Sequence, residues 1–202
     1  FLDTHNKKHT FIHIPKNAGK SISSYILKHG IEPHNVCSKS HATIEELGLT
    51  GEDLGKTFAV VRNPYTRIVS LYRFLFECNI KKITKESNQY FDNAVGDLTW
   101  HSELLDHYNG KLSFKKFCSK LPMMPFAQEQ CSFIPADRLL RYETLETDFE
   151  YYKKLLNSDE PLWKINSTGT DNNWIKYYDR STSDIVYEVY KNDFIKLGYK
   201  KL

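Results

Sequence analysis

No stretch of the sequence approaches the roughly 18 consecutive apolar residues that a helix needs to cross a bilayer. Nor does a basic segment followed by an apolar run open it. No membrane-spanning segment is therefore expected, and the chain as it stands is predicted to be soluble. Charge of one sign is scarce too: 28 basic and 25 acidic residues leave a formal charge of +3, far from the balance of proteins that coat nucleic acid. Nucleic acid is excluded as a partner, and any anion site must be local. Cys37, Cys78, Cys118 and Cys131 form no CxxC pair and no Cys/His ligand spacing, so no metal is expected. Scattered thiols in a chain able to build a real core favour reduced, buried cysteines over two disulfides. Internal repeats and Gly/Ser- or Pro-rich linkers are missing as well, which predicts a single domain over residues 1–202.

Hydrophobic residues make up 40% and charged residues 26%, with 13 Tyr, 12 Phe and 3 Trp, a composition that excludes disordered and low-complexity classes. Thr10 to Ile14 reads as a buried strand stopped by Pro15, and Ile22, Ile26 and Leu27 have helical spacing up to Gly30. Thr57 to Val61 is apolar or β-branched, as a strand covered on both faces should be. Arg62-Asn63-Pro64 ends it ahead of a helix from Tyr65 through Phe76. A third strand is predicted at Arg138 to Tyr142, then a helix from Thr144 through Leu156. Thr182 to Leu197 reads as one amphipathic helix closed by Gly198, and Glu77 to Pro135 as helices plus a lid. Strands alternating with helices predict the α/β class, a P-loop-like three-layer α/β/α domain with a central, mainly parallel sheet. In such sheets ligands lie beyond the carboxyl ends of the strands, where two of the strand-to-helix corners fall.

The first corner is Pro15-Lys16-Asn17-Ala18-Gly19-Lys20-Ser21. A loop with Gly, Lys and Ser ahead of a helix offers backbone N–H groups and the positive end of the helix dipole to an anion. Gly19 lacks the Cβ that would hinder close approach, Ser21 offers a hydroxyl, and Lys16 and Lys20 supply charge. Gly19-Lys20-Ser21 matches the end of the nucleotide-triphosphate loop GxxxxGK[ST], but that loop's first glycine would fall at Ile14. The carboxylate that holds magnesium at a neighbouring strand end is replaced by Arg62. The second corner places Arg62 at a strand end and Ser70 two turns along a helix, with Arg67 three residues before Ser70 on the same face. An Arg fork with a Ser hydroxyl can hold a phosphate, whereas Arg73 reads as a surface ion-pair former.

These residues match a family. Phe11 to Ile22 resembles the 5′-phosphosulfate loop of the sulfotransferases, and Val61 to Tyr72 resembles their 3′-phosphate motif. Gln130 to Ile134 is similar to a Q-x-x-F-[IL] segment of the carbohydrate branch, Leu140 to Leu145 to its YE-x-L turn, and Tyr177 to Tyr199 to its ending. The nearest likeness is to the heparan-sulfate 2-O-sulfotransferase-like branch. The resemblance implies 3′-phosphoadenosine-5′-phosphosulfate as co-substrate, adenosine 3′,5′-bisphosphate as product, a glycan or other hydroxylated acceptor, and no metal. Carried over by position, Lys16 meets the sulfuryl and bridging oxygens, Pro15 to Ser21 cradle the 5′-phosphate, and Arg62 and Ser70 grip the 3′-phosphate. Ser167, in the polar run Asn166 to Thr170, falls where the family has a loop over the nucleotide.

Sulfuryl transfer needs an in-line attack and stabilisation of the charge that grows on the leaving phosphate, which suits Lys16. The acceptor hydroxyl needs a base. His41, in a stretch resembling the K-x-H-[AS]-[TS] segment of the 2-O-sulfotransferase branch, is the leading candidate. Its structural alternative is a place beside a helix capped by Ser40. His13 reads as a core residue; His101, His107, Glu45, Glu46 and Glu143 are the reserves. A P-loop kinase or NTPase, or a nucleotide-binding module without turnover, are the competing readings. The compartment is expected to be cytoplasmic for a microbial or viral source, or the Golgi lumen if an anchor precedes Phe1. Oligomeric state has no signature in the sequence.

Overall fold

The computed structural model describes residues 1–30, 43–48, 51–74, 113–124, 127–134, 136–163 and 173–202. The chain divides into two compact units, each built from two stretches: Phe1–Asn63 with Gln130–Ser167, and Pro64–Glu129 with Thr168–Leu202.

The first unit holds a sheet of three strands, β1 (His9–Ile12), β2 (Lys56–Val61) and β3 (Arg138–Arg141), in the order β1-β2-β3. Both pairings are parallel, with Ile12 opposite Ala59 and Val61 opposite Arg141 at their last registered pairs. This is the α/β class with the parallel sheet that the alternation of strands and helices predicts. Strand β2 is central, and Phe58, Ala59, Val60 and Val61 are all buried, which is why it carries no polar alternation. Gly55 starts it at φ +62, where a Cβ would meet the Lys8 carbonyl oxygen at 2.4 Å, so only glycine lets the two chains come so close.

Helix α1 (Gly19–His29) follows β1, and the short helices α2 (Ile44–Leu47) and α3 (Gly51–Leu54) precede β2. Ser40, the expected cap of a helix near His41, lies outside the described residues, and the helix that begins at Ile44 has its own cap in Thr43. Thr43 closes a capping box: its hydroxyl accepts from the Glu46 N–H while the Glu46 carboxylate accepts from the Thr43 N–H. Ile22, Tyr25 and Ile26 of α1 pack with Phe58, Val60, Leu140, Phe149 and Tyr152 into the core of this unit.

The second unit begins at α4 (Pro64–Tyr72), with proline in the first turn, where its missing N–H has no intrahelical partner to lose. Helix α5 (Phe114–Lys120) belongs to this unit, whereas α6 (Leu145–Leu155), after β3, belongs to the first. The predicted terminal helix is two helices, α7 (Arg180–Val189) and α8 (Lys191–Leu197), broken at Tyr190 (φ −112, ψ 29). The break seats the Tyr190 ring in the core, its hydroxyl donating to the Ala127 carbonyl at 2.6 Å. Periodicity reads through such a break because the apolar spacing on either side stays helical. Cys118 is a buried thiol, and burial pushes it up to about 12, which makes it an inert core residue.

Candidate active site

The first corner leaves β1 at Ile12, passes Pro15 and enters α1 at Gly19. Lys16 (φ 67) and Ala18 (φ 60) both adopt the left-handed region, which disfavours residues with a Cβ by about 1–3 kcal/mol each. What over-determines the loop is Asn17. Its side chain is 1% exposed, and Nδ2 donates to the Val60 carbonyl at 2.7 Å and to Gln130 Oε1 at 2.6 Å. Strand β1 has ended by then, so Asn17 supplies to β2 the donor that the missing strand would have given. The loop closes over this anchor, and Ala18, the N-cap of α1, makes no side-chain hydrogen bond. The first turn of α1 carries no acidic residue. A backbone terminus of this kind, with Lys16 in the turn before it, suits a phosphate.

Gly19 has a further role in this geometry. The direction its Cβ would take is filled by the His13 imidazole, with Nε2 only 1.6 Å from that position, so the ring lies on the glycine. His13 is half-buried and stacked on Phe11 at 5.8 Å, at the loop itself and not deep in the core as the strand pattern suggests. Gly19→Ala should therefore lower the melting temperature, although helix propensity alone would raise stability by up to roughly 1 kcal/mol. A raised melting temperature would show that the ring is not held there. Lys20 is exposed and Ser21 buried, both in the first turn of α1.

Arg62, at the end of β2, is brought to the first corner. Its Nη1 donates to the Lys16 carbonyl oxygen at 3.1 Å, and its guanidinium stacks 3.9 Å from the centre of the Tyr142 ring. Its backbone is held twice by Gln130: Oε1 accepts the Arg62 N–H and Nε2 donates to the Arg62 carbonyl, each at 2.8 Å. Asn63 gives its N–H to Glu143 at 2.8 Å, so this reserve for the base serves as a backbone acceptor, as Glu46 does in its capping box.

Ser70 is buried in α4, within the second unit. Arg67 is buried rather than exposed: it is 1% exposed, donates from Nη1 to the Gln128 carbonyl at 2.8 Å, and lies 5.8 Å from the Tyr190 ring centre. Most of the nine residues of α4 are buried, Arg67 and Ser70 among them, so the face that their three-residue spacing gives them is not an exposed one. Burial pushes the guanidinium down, opposed by Tyr190 and Asp193. His41, His101, His107 and Ser167 lie outside the described residues.

Gln130, Tyr142 and Glu143 complete the corner. Gln130 and Tyr142 stand inside segments whose pattern is visible in the sequence, but pattern alone gave neither a role. Gln130 is fully buried, and a buried amide must find partners. Among the described residues no cluster of His, Cys, Asp and Glu could hold a metal, and no helix is long and apolar enough to cross a membrane. A family model described as the sulfotransferase family matches residues 1–200. No curated protein and no solved structure matches the chain.

Proposed function

Because this chain belongs to the sulfotransferase family, we propose that it transfers a sulfuryl group from 3′-phosphoadenosine-5′-phosphosulfate to a hydroxyl of a glycan or another polyhydroxylated acceptor. The observation that carries this reading is the hydrogen bond from Arg62 Nη1 to the Lys16 carbonyl at 3.1 Å. It joins the cations of the two motifs at neighbouring carboxyl ends of parallel strands, beside an α1 terminus whose N-cap makes no side-chain hydrogen bond. The family match runs through both units, which supports one sulfotransferase domain over the whole chain.

The residues fit a doubly phosphorylated adenosine. The N–H groups of Gly19, Lys20 and Ser21 and the Ser21 hydroxyl would hold the 5′-phosphate, with Pro15 to Ala18 shaping the turn. Arg62 would hold the 3′-phosphate by its planar fork, with Ser70 as second donor on the strength of the sequence motif, and Ser167 would contribute from the polar run. The donor supplies an activated sulfuryl group. Lys16 would hold the oxygens of that group and offset the charge that grows on the leaving phosphate. His41 is proposed to take the acceptor proton, since a neutral imidazole nitrogen can accept one.

Titration with adenosine 3′,5′-bisphosphate and, separately, with ATP and magnesium tests the nucleotide. The bisphosphate should bind more tightly, and tighter ATP would make the chain a nucleoside-triphosphate enzyme instead. Transfer of labelled sulfate to a panel of glycans tests turnover, and a chain that binds the bisphosphate yet transfers to none would be a binding module. Arg62→Ala should weaken the bisphosphate about 30- to 100-fold, the worth of about 2–3 kcal/mol of charge-assisted hydrogen bonds. Adenosine 5′-monophosphate should lose less than about threefold; equal losses would remove Arg62 from the 3′ end.

A further inference from the structure

All three hydrogen bonds described above for the Gln130 side chain go to the two phosphate corners. Oε1 accepts from Asn17 Nδ2 at 2.6 Å and from the Arg62 N–H at 2.8 Å, and Nε2 donates to the Arg62 carbonyl at 2.8 Å. One amide taking both the N–H and the C=O of a single residue is what a neighbouring strand does in a sheet. Strand β2 has run past its partners by then: its last registered pair with β1 is Ala59 and with β3 is Val61. Beyond those residues, two buried side-chain amides take the place of the ladder. Gln130 is 0% exposed, 113 residues from Asn17 and 68 from Arg62 along the chain, so it ties together segments that local structure leaves independent.

We propose that Gln130 is a positioning residue that fixes the first corner against Arg62, so that both phosphates of one nucleotide are gripped at once. The proposal rests on the donor assignment made above. A ligand held at two ends gains from the second contact only when the spacing between the contacts is preset. Loosening that spacing removes the gain for a doubly phosphorylated nucleotide and spares a singly phosphorylated one. Gln130 touches neither phosphate in this arrangement and acts through Asn17 and Arg62.

Gln130→Met keeps much of the volume and removes all three hydrogen bonds. By calorimetric titration it should weaken adenosine 3′,5′-bisphosphate about 30-fold and adenosine 5′-monophosphate less than about threefold. In an Arg62→Ala background, Gln130→Met should add less than about threefold to the loss of bisphosphate affinity, because residues that act through one another are not additive. A purely structural glutamine would weaken both nucleotides alike, or add its full effect in the Arg62→Ala background; either result overturns the proposal. Should Gln130→Met fail to fold, Gln130→Glu, which keeps both acceptor contacts, faces the same comparisons. Wild-type protein that binds the bisphosphate no more tightly than the monophosphate would overturn the donor assignment and this proposal together. Wild-type preference for the bisphosphate with Gln130→Met unchanged would overturn this proposal alone.

Discussion

Lys16→Ala should lower the single-turnover rate of sulfuryl transfer by about 10²- to 10³-fold, the usual effect of removing one preorganised charge from a developing anion. The fold should survive. The left-handed backbone at Lys16 (φ 67) disfavours alanine about as much as lysine, since both carry a Cβ, so the substitution removes charge without changing strain. Arg62 donates to the backbone oxygen of Lys16, and that bond does not depend on the side chain. Unchanged thermal unfolding with a collapsed rate is therefore the expected pair of measurements. Lys16→Gly is a poorer probe because it also releases the left-handed strain. A Lys16→Ala enzyme that turns over at the wild-type rate would take the leaving-group role away from this residue.

Asn17→Asp should cost about 3–5 kcal/mol of stability near neutral pH, the size expected when a buried charge is left uncompensated. The change is a single atom, but it falls where Nδ2 gives two short hydrogen bonds, to the Val60 carbonyl and to Gln130 Oε1. An ionised oxygen there would face two acceptors. The other amide atom, Oδ1, is already buried with no hydrogen-bond partner among the described residues, so the variant has no donor to turn toward. For a chain of this size the loss corresponds to about 6–20 °C in melting temperature.

The pH dependence has a definite sign. Burial would raise the pKa of the introduced carboxyl above its unfolded value, so the folded variant binds more protons than the unfolded one. The penalty should then be smallest in acid and grow as pH rises through the ordinary carboxylate range. Denaturant unfolding of both proteins at pH 5 and pH 8 measures it. A penalty equal at the two pH values, or below about 1 kcal/mol, would mean that Asn17 is not the anchor of the loop.

The two corners were legible in the sequence because the signals are local. Gly, Lys and Ser after an apolar run mark a strand that gives way to a helix terminus, and Arg62-Asn63-Pro64 stops a β-branched run within three residues. The ends of β1, β2 and β3 fall within two residues of the expected strands for the same reason. Signals of that kind fade when a side chain is committed to something distant. Arg67 reads as a phosphate-holding partner of Ser70 until the second unit's own packing buries it near Tyr190, and Tyr190 reads as one more apolar position of a single helix until the break there places its hydroxyl on the Ala127 carbonyl. Glu143 reads as a spare carboxylate until the Asn63 N–H is found to need it.

By itself, the sequence determined the three strands, the helices that follow them and which residue types stand at the two strand-to-helix corners, since propensity, punctuation and motif spacing act over a few residues. Only the tertiary structure decided that those corners adjoin and what holds them there. Asn17, Gln130 and Arg62 meet across separations of up to 113 residues, and hydrogen bonds between buried amides leave no periodic trace along a chain.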